Sequence, residues 1–173
     1  MRMIWTITAA TILTVGGIAI SEAIPAQAYT SSNINNVQSG RCLGISGNDA
    51  GIWNCTANAD QEWHSGATIS GYYTQYINND GKCLGVAGGS SANGARVVAW
   101  PCEPGHKDQY WWHYCLLDGQ ACIFINYDAP ANSLGGGGKV LGVAGGSKSN
   151  GAAAVLWTNK NGEGDQNWLF EGS

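Results

Sequence analysis

Apolar residues in this chain come in short bursts. "ARVVAW" (95–100) and "AAAVLW" (152–157) are strand-length, end in tryptophan and are bounded by glycine. No segment sustains a helical period. The pattern predicts short strands joined by tight turns, an all-β fold. One stretch differs. "IWTITAATILTVGGIAI" (4–20) carries no charge, follows Arg2, and is broken by Glu22 and Pro25 before the small residues "AQA" (26–28). This is the pattern of a secretory signal peptide over residues 1–28. Seventeen uncharged residues approach membrane-spanning length, but the proline break and the cleavage-like site favour a leader over an anchor. The mature protein is expected to start near Tyr29, to be secreted and to span 29–173 as one domain.

The bursts are copied. "CLGVAGGSSANGARVVAW" (83–100) returns as "VLGVAGGSKSNGAAAVLW" (140–157), and a second marker recurs as "DQEW" (60–63), "DQYW" (108–111) and "DQNW" (165–168). Fixed-period copying signals a repeat architecture. Three units result, about 33–70, 71–116 and 121–170. Each has an "IN" strand, a turn ending in Gly-Arg or Gly-Lys, a Leu-Gly pair, a glycine-rich loop, an apolar strand ending in Trp, and the Asp-Gln-x-Trp marker. The third unit carries an insertion, "APANSLGGG" (129–137), read as a flexible segment. The first is shorter in its loop "SGNDAG" (46–51). Gly88, Gly89, Gly94, Gly145, Gly146 and Gly151 suit positions of positive φ. Asn93-Gly94 and Asn150-Gly151 read as hairpin turns.

The repeat also organises the cysteines. All six follow the leader: Cys42, Cys55, Cys83, Cys102, Cys115 and Cys122. An even number in an exported chain implies disulfides. Cys42 and Cys55 hold the places in unit one that Cys83 and Cys102 hold in unit two, and unit three lacks both together, with Val140 and Asn159 there. The pairs 42–55 and 83–102 follow, leaving 115–122 to clip a hairpin turning at Asp118-Gly119. Each intra-unit bridge should contribute on the order of 3 kcal/mol. The absence of a CxxC motif, with histidines away from the cysteines, argues against zinc.

The formal net charge is −4 and charged residues are 12% of the chain. Without a basic cluster, nucleic acid and anionic membrane are poor partners. No GxSxG elbow occurs, "GGGGK" (135–139) lacks a phosphate-loop ending, and the few carboxylates are dispersed by the repeat rather than paired in one cleft. An enzyme is not expected. His64, His106 and His113 flank the Gln-x-Trp markers and read as surface or ordinary hydrogen-bonding residues.

Three Gln-x-Trp motifs in register, with "GRCLG" and "GKCLG" ahead of two of them, resemble the ricin-type β-trefoil lectins over about residues 34–170. The resemblance implies twelve strands, six in a short barrel and six in capping hairpins, with a shallow sugar pocket in each unit. It implies that Trp63, Trp111 and Trp168 are core, with Gln61, Gln109 and Gln166 hydrogen-bonded beside them at the pockets. It places Trp53, Trp100 and Trp157 where the family sets an aromatic ring against sugar, with core packing as the alternative. The apolar C–H face of a pyranose suits an indole.

This sequence departs from the family at three positions in each unit. Sugar-binding members usually carry aspartate after Cys-Leu; here Gly44, Gly85 and Gly142 stand instead. Gly51, Val98 and Val155 replace a glutamine two residues before the stacking Trp. Relatives often have asparagine before the Gln-x-Trp glutamine, whereas this chain has Asp60, Asp108 and Asp165. Two readings stay open. These aspartates supply each pocket's carboxylate from the opposite wall, with room left over the glycines, or they cap their own turns. The resulting expectation is a secreted, non-catalytic, monomeric carbohydrate-binding protein without a cofactor, using weak sites multivalently on polysaccharide or surface glycan. A protein-binding trefoil, such as a protease inhibitor or adhesion partner with degenerate pockets, is the alternative.

Overall fold

The computed structural model describes residues 31–116, 121–130 and 138–170. The leader, the Asp118-Gly119 turn and most of the glycine-rich insertion lie outside them. Twelve strands run in order: β1 (Ser32–Asn36), β2 (Cys42–Ser46), β3 (Asp49–Trp53), β4 (Glu62–Ile69), β5 (Tyr73–Asn78), β6 (Lys82–Val86), β7 (Ala95–Pro101), β8 (Trp111–Leu116), β9 (Ala121–Asn126), β10 (Lys139–Val143), β11 (Ala152–Thr158) and β12 (Trp168–Phe170). Among the described residues the remaining regular structure is four three-residue 3₁₀ turns, at 87–89, 107–109, 144–146 and 164–166. None of these is long and apolar enough to cross a membrane.

Six strands close into a ring, each antiparallel to the next: β1–β4–β5–β8–β9–β12 and back to β1. The hairpins β2–β3, β6–β7 and β10–β11 grow from the ring. Their second strands meet pairwise in a triangle, β3–β7, β7–β11 and β11–β3. Closure removes the ring's free edges, and the triangle covers one end.

The Gln-x-Trp tryptophans are the centre of the core, as expected. Trp63, Trp111 and Trp168 are fully buried. Each donates its indole N–H to the carbonyl of the leucine in its own unit's Leu-Gly pair, Leu43 at 3.1 Å, Leu84 at 2.9 Å and Leu141 at 3.1 Å. A buried indole thus keeps its polar edge satisfied while removing a large apolar area from water. Leu43, Leu84 and Leu141 pack into the same cluster with Ile34, Tyr76 and Phe124. The disulfides pair as read from the repeat, 42–55, 83–102 and 115–122.

One reading is corrected and another made definite. Asn93-Gly94 and Asn150-Gly151 are not two-residue hairpins. Each sits at the end of an eight-residue loop that starts with a 3₁₀ turn, and positive φ falls on the glycine, 82° at Gly94 and 79° at Gly151, not on the asparagine. His113, read as a surface or ordinary hydrogen-bonding residue, is half-buried with its Nε2 3.5 Å from Cys115 Sγ, and its ring is stacked on Phe124 (centroids 4.6 Å, 20° apart) with Tyr76 and Phe170 edge-on. Burial lowers its pKa from the ordinary 6.5.

The units interlock through the Gly-Arg and Gly-Lys positions. Arg41 reaches the loop of unit three, donating to the Lys148 carbonyl (2.6 Å) and to Asn150 Oδ1 (2.5 Å), and it also holds Asn54. Lys82 reaches the loop of unit one at Gly47 and Asn48. Lys139 reaches Asn93 of unit two at 2.7 Å. The three contacts run in a cycle, so each glycine-rich loop is tied to a neighbouring unit.

Candidate functional site

Each unit builds one hollow from the same parts. The hollow of unit two is about 430 Å³ and includes Trp100, Asp108, Gln109, Gly88 and Gly89. That of unit three, about 340 Å³, includes Trp157, Asp165, Gln166, Gly145 and Gly146. That of unit one, about 350 Å³, includes Trp53, Asp60 and Gln61, with Asn150 from unit three on its rim. The structure therefore brings together all nine of the expected binding residues, three to a hollow.

Their roles differ. Trp100 and Trp157 are 41% and 38% exposed, and Trp53 is intermediate. Core packing does not account for them. Each ends a hairpin strand, and two rest on glycines of the neighbouring loop. A Cβ on Gly151 would lie 3.2 Å from Trp53 Cη2, and one on Gly94 would lie 3.6 Å from Trp157 Cζ3. The Asn-Gly turns thus form flat seats for these indoles. The shorter loop of unit one brings no glycine to Trp100, in keeping with its greater exposure.

The glutamines are buried and spent on backbone. Gln109 accepts from Glu103 N–H (2.9 Å) and donates to the Pro101 carbonyl (2.9 Å). Gln166 does the same with Lys160 and Thr158, and Gln61 with Thr56 and Asn54. Each clamps the bend between its strand-end tryptophan and the Gln-x-Trp turn. They set the back wall rather than offering free groups to a ligand.

The aspartates reach across to the Leu-Gly strand. Asp60 Oδ2 accepts the Ile45 amide at 3.3 Å. Asp108 accepts from the matching Val86 amide and from its own. The expected room above the glycines is therefore taken. A Cβ on Gly85 would meet Asp108 Oδ2 at 2.9 Å, one on Gly44 would meet Asp60 Oδ2 at 3.1 Å, and one on Gly142 would meet Asp165 Oδ2 at 3.4 Å. None of the three glycines has positive φ. Space, not backbone conformation, favours glycine here, most at Gly44 and least at Gly142. The carboxylate comes from the Gln-x-Trp turn but ends where a side chain on the Leu-Gly strand would begin. Burial raises the Asp108 pKa, as does nearby Asp128; the two amides and His106 oppose that rise.

Further lining residues had only a positional signal. The third residue after each exposed tryptophan is Thr56, Glu103 or Lys160, and each faces its own hollow. Glu103 forms an exposed pair with His106 at 2.8 Å. Unit three instead lines this wall with Lys160 and Glu163. Carboxylates do share a hollow here, Glu103 with Asp108 and Glu163 with Asp165, which the dispersed sequence positions did not suggest. The grouping of His113, Cys115 and Cys122 offers no metal site, because both sulfurs are bonded to each other.

This arrangement, three times over on a closed six-stranded ring with a three-hairpin cap, matches one family. Residues 30–168 fit the family model described as the ricin-type β-trefoil lectin domain. The chain belongs to this family. No curated protein sequence matches it. Among solved structures it resembles ThreeFoil, a designed three-fold symmetric protein, at 22% identity and a TM-score of 0.70, over 82% of this chain and 97% of that one. It resembles the Macrolepiota procera ricin B-like lectin, solved with lactose, at 20% identity and a TM-score of 0.64, over 81% and 93%. It also resembles an exo-β-1,3-galactanase from Clostridium thermocellum at 21% identity and a TM-score of 0.70, over 86% of this chain but 31% of that one. At these identities the likeness carries the fold.

Proposed function

We propose that this ricin-type β-trefoil is a secreted, non-catalytic carbohydrate-binding protein that holds sugar rings in three shallow hollows and gains strength on polymers by using several at once. One observation carries the reading: an indole that is exposed in units two and three and partly exposed in unit one lines the same hollow as an aspartate carboxylate in every unit. The indole accepts the C–H face of a pyranose, and the carboxylate accepts two neighbouring hydroxyls in charge-assisted hydrogen bonds. The differing third residue, Thr56, Glu103 or Lys160, gives each hollow its own selectivity. The lectin solved with lactose supports the same chemistry class.

The non-catalytic part rests on the exposure of the second carboxylate. Glu103 is more than half exposed and paired with His106, and unit one has threonine in its place. Glycoside hydrolysis needs a positioned acid and base flanking one bond, and an open hollow does little to exclude water. The reading is tested by retention of the protein (from Tyr29) on insoluble polysaccharides and immobilised sugars. Trp100→Ala and Trp157→Ala should each weaken retention, by about tenfold per site for a loss near 1.4 kcal/mol, and Asp60/Asp108/Asp165→Asn should weaken it further. Wild-type retention on no glycan would refute the proposal and turn attention to protein partners. Release of reducing sugar would refute the non-catalytic part.

A further inference from the structure

The three-fold copying fails conspicuously at one place outside the hollows. On β8, Trp112 and Tyr114 are two residues apart and so share one face of the strand. Tyr72 follows a turn with positive φ at Ser70 (52°) and Gly71 (82°), and Tyr73 opens β5. The rings meet in a row. Tyr72 and Trp112 have centroids 4.9 Å apart, Trp112 and Tyr114 5.1 Å, with tilts of 53° and 58°. Tyr73, buried behind them, touches Tyr72 at 4.9 Å and meets Tyr127 edge-on at 4.6 Å. Tyr72 is 53% exposed and Tyr114 40%.

The repeat supplies an internal control. The positions of Trp112 and Tyr114 hold His64 and Gly66 in unit one and Leu169 and Glu171 in unit three. Those of Tyr72 and Tyr73 hold Thr30 and Ser31, and Gln120 and Ala121. The same architecture is thus written twice without these rings, so the trefoil does not require them. Exposed contiguous aromatic surface of this kind marks a binding site.

The row also leads somewhere. Lys107 Nζ lies 5.5 Å from the centre of the Tyr127 ring. Its sequence neighbours His106 and Asp108 both line the unit-two hollow. Asp128, next to Tyr127, has Oδ2 3.8 Å from where a Cβ on Gly89 would sit, in the same hollow. Tyr127, packed on the buried Tyr73 and capped by Lys107, thus stands between the row and the Trp100 hollow.

We propose that the unit-two hollow is one end of a longer track, and that the track holds an extended polysaccharide chain. One sugar sits in the Trp100 hollow, and later sugars lie along Tyr127, Tyr72, Trp112 and Tyr114. Ring faces meet sugar C–H groups, and the phenol hydroxyls remain at their edges for sugar hydroxyls. Tilted rings make a stepped surface, which suits a single twisted chain better than a flat crystalline one. This inference rests on the carbohydrate reading above.

The test uses a Trp53→Ala/Trp157→Ala background, which isolates the unit-two hollow and removes multivalency. Retention in affinity gels containing β-1,3-galactan, β-1,4-xylan or laminarin selects the polymer, and calorimetry then compares its hexasaccharide with its monosaccharide. The background protein should bind the hexasaccharide at least tenfold more tightly. Adding Tyr72→Ala/Tyr114→Ala, or Trp112→Leu to install the residue of unit three, should abolish that preference while leaving the monosaccharide affinity within twofold. Equal affinity for both lengths overturns the track. So does a preference that survives the track variants, or sedimentation showing that the variants dissolve a dimer seated on the rings. If Trp100→Ala loses binding and the track variants do not, the track alone fails. If the wild type is retained on no probe, the carbohydrate reading fails and the track with it. The unchanged melting temperature of Tyr72→Ala/Tyr114→Ala, whose side chains are exposed, verifies the fold.

Discussion

Replacing each Leu-Gly glycine by alanine tests whether the aspartate carboxylates occupy the space those glycines leave. Alanine restricts the unfolded chain and, where it fits, stabilises by about 0.4–1 kcal/mol. Against this stands whatever the new Cβ meets. At Gly142 the nearest atoms are Gln166 Cγ at 3.2 Å and Asp165 Oδ2 at 3.4 Å. A shift of a few tenths of an ångström relieves both, so Gly142→Ala should lie within about 0.5 kcal/mol of wild type. At Gly85 the Cβ meets Asp108 Oδ2 at 2.9 Å and Gln109 Cγ at 3.1 Å, the latter relieved, as at Gly142, by a shift of a few tenths of an ångström. The carboxylate can swing away, giving up the Val86 amide. For a half-buried group this costs about 1 kcal/mol, which the alanine gain largely offsets. Gly85→Ala should therefore fold almost normally yet lose the unit-two carboxylate from its place. At Gly44 the Cβ meets Gln61 Cγ at 2.9 Å and Trp53 Cδ1 at 3.0 Å. Gln61 is buried and held by two backbone hydrogen bonds, so it cannot yield cheaply. Overpacking of about 1–3 kcal/mol should dominate, and Gly44→Ala should melt lower by about 3 °C per kcal/mol lost. The assays are thermal unfolding of the three variants and their retention on the selected polysaccharide. Three equal melting temperatures would refute the reasoning. So would undiminished unit-two binding by Gly85→Ala, because the carboxylate would then be shown not to depend on the glycine.

Other outcomes follow from the same structure. Burial lowers the His113 pKa from 6.5, so the folded state favours the neutral ring. Its stability contribution is full above about pH 6.5 and is lost as pH falls from there through the lower folded value. His113→Phe, the residue unit three has as Phe170, should shrink the drop in melting temperature between pH 7.5 and pH 4.5; an unchanged drop would contradict this. Gln109→Leu leaves the Glu103 amide and the Pro101 carbonyl without their partner and should cost about 2–4 kcal/mol in urea unfolding with an unchanged m-value. Asn93→Ala removes an acceptor shared by Lys139 Nζ, the Thr158 amide and the Thr158 hydroxyl. It should lower stability by about 1 kcal/mol and weaken binding at Trp157 while sparing Trp53, as read by retention of single-site variants.

Copying made much of this molecule legible. The triply written Gln-x-Trp carried the family resemblance, and that resemblance implied the central place that Trp63, Trp111 and Trp168 take. Paired loss of cysteines from unit three likewise revealed which sulfurs touch, since a lone thiol there would have no partner. The candidate site was half legible. Its nine residues do share three hollows, but their division of labour was not visible. Whether a glutamine faces sugar or clamps its own backbone depends on which amide and carbonyl come within 3 Å, and the glutamines clamp. Whether an aspartate stays on its turn or reaches the Leu-Gly strand depends on how the turn docks, and it reaches the strand. His113 looked like an ordinary polar residue beside a marker because a one-dimensional pattern cannot show that Phe124, Tyr76 and Phe170 converge on it from other strands.

The sequence by itself determined the all-β class, the three units and the disulfide pairing, because these follow from local spacing repeated along one chain, while the residues of each hollow were implied by the resemblance to the ricin-type lectins. Only the tertiary structure decided what lies between units. The cyclic hold of Arg41, Lys82 and Lys139 on neighbouring loops, the glycine seats beneath Trp53 and Trp157, and the row of rings from Tyr72 to Tyr114 all join residues from different strands or units. Such contacts are fixed by ring closure and by the hairpin triangle, which bring together positions that no periodicity in the chain relates.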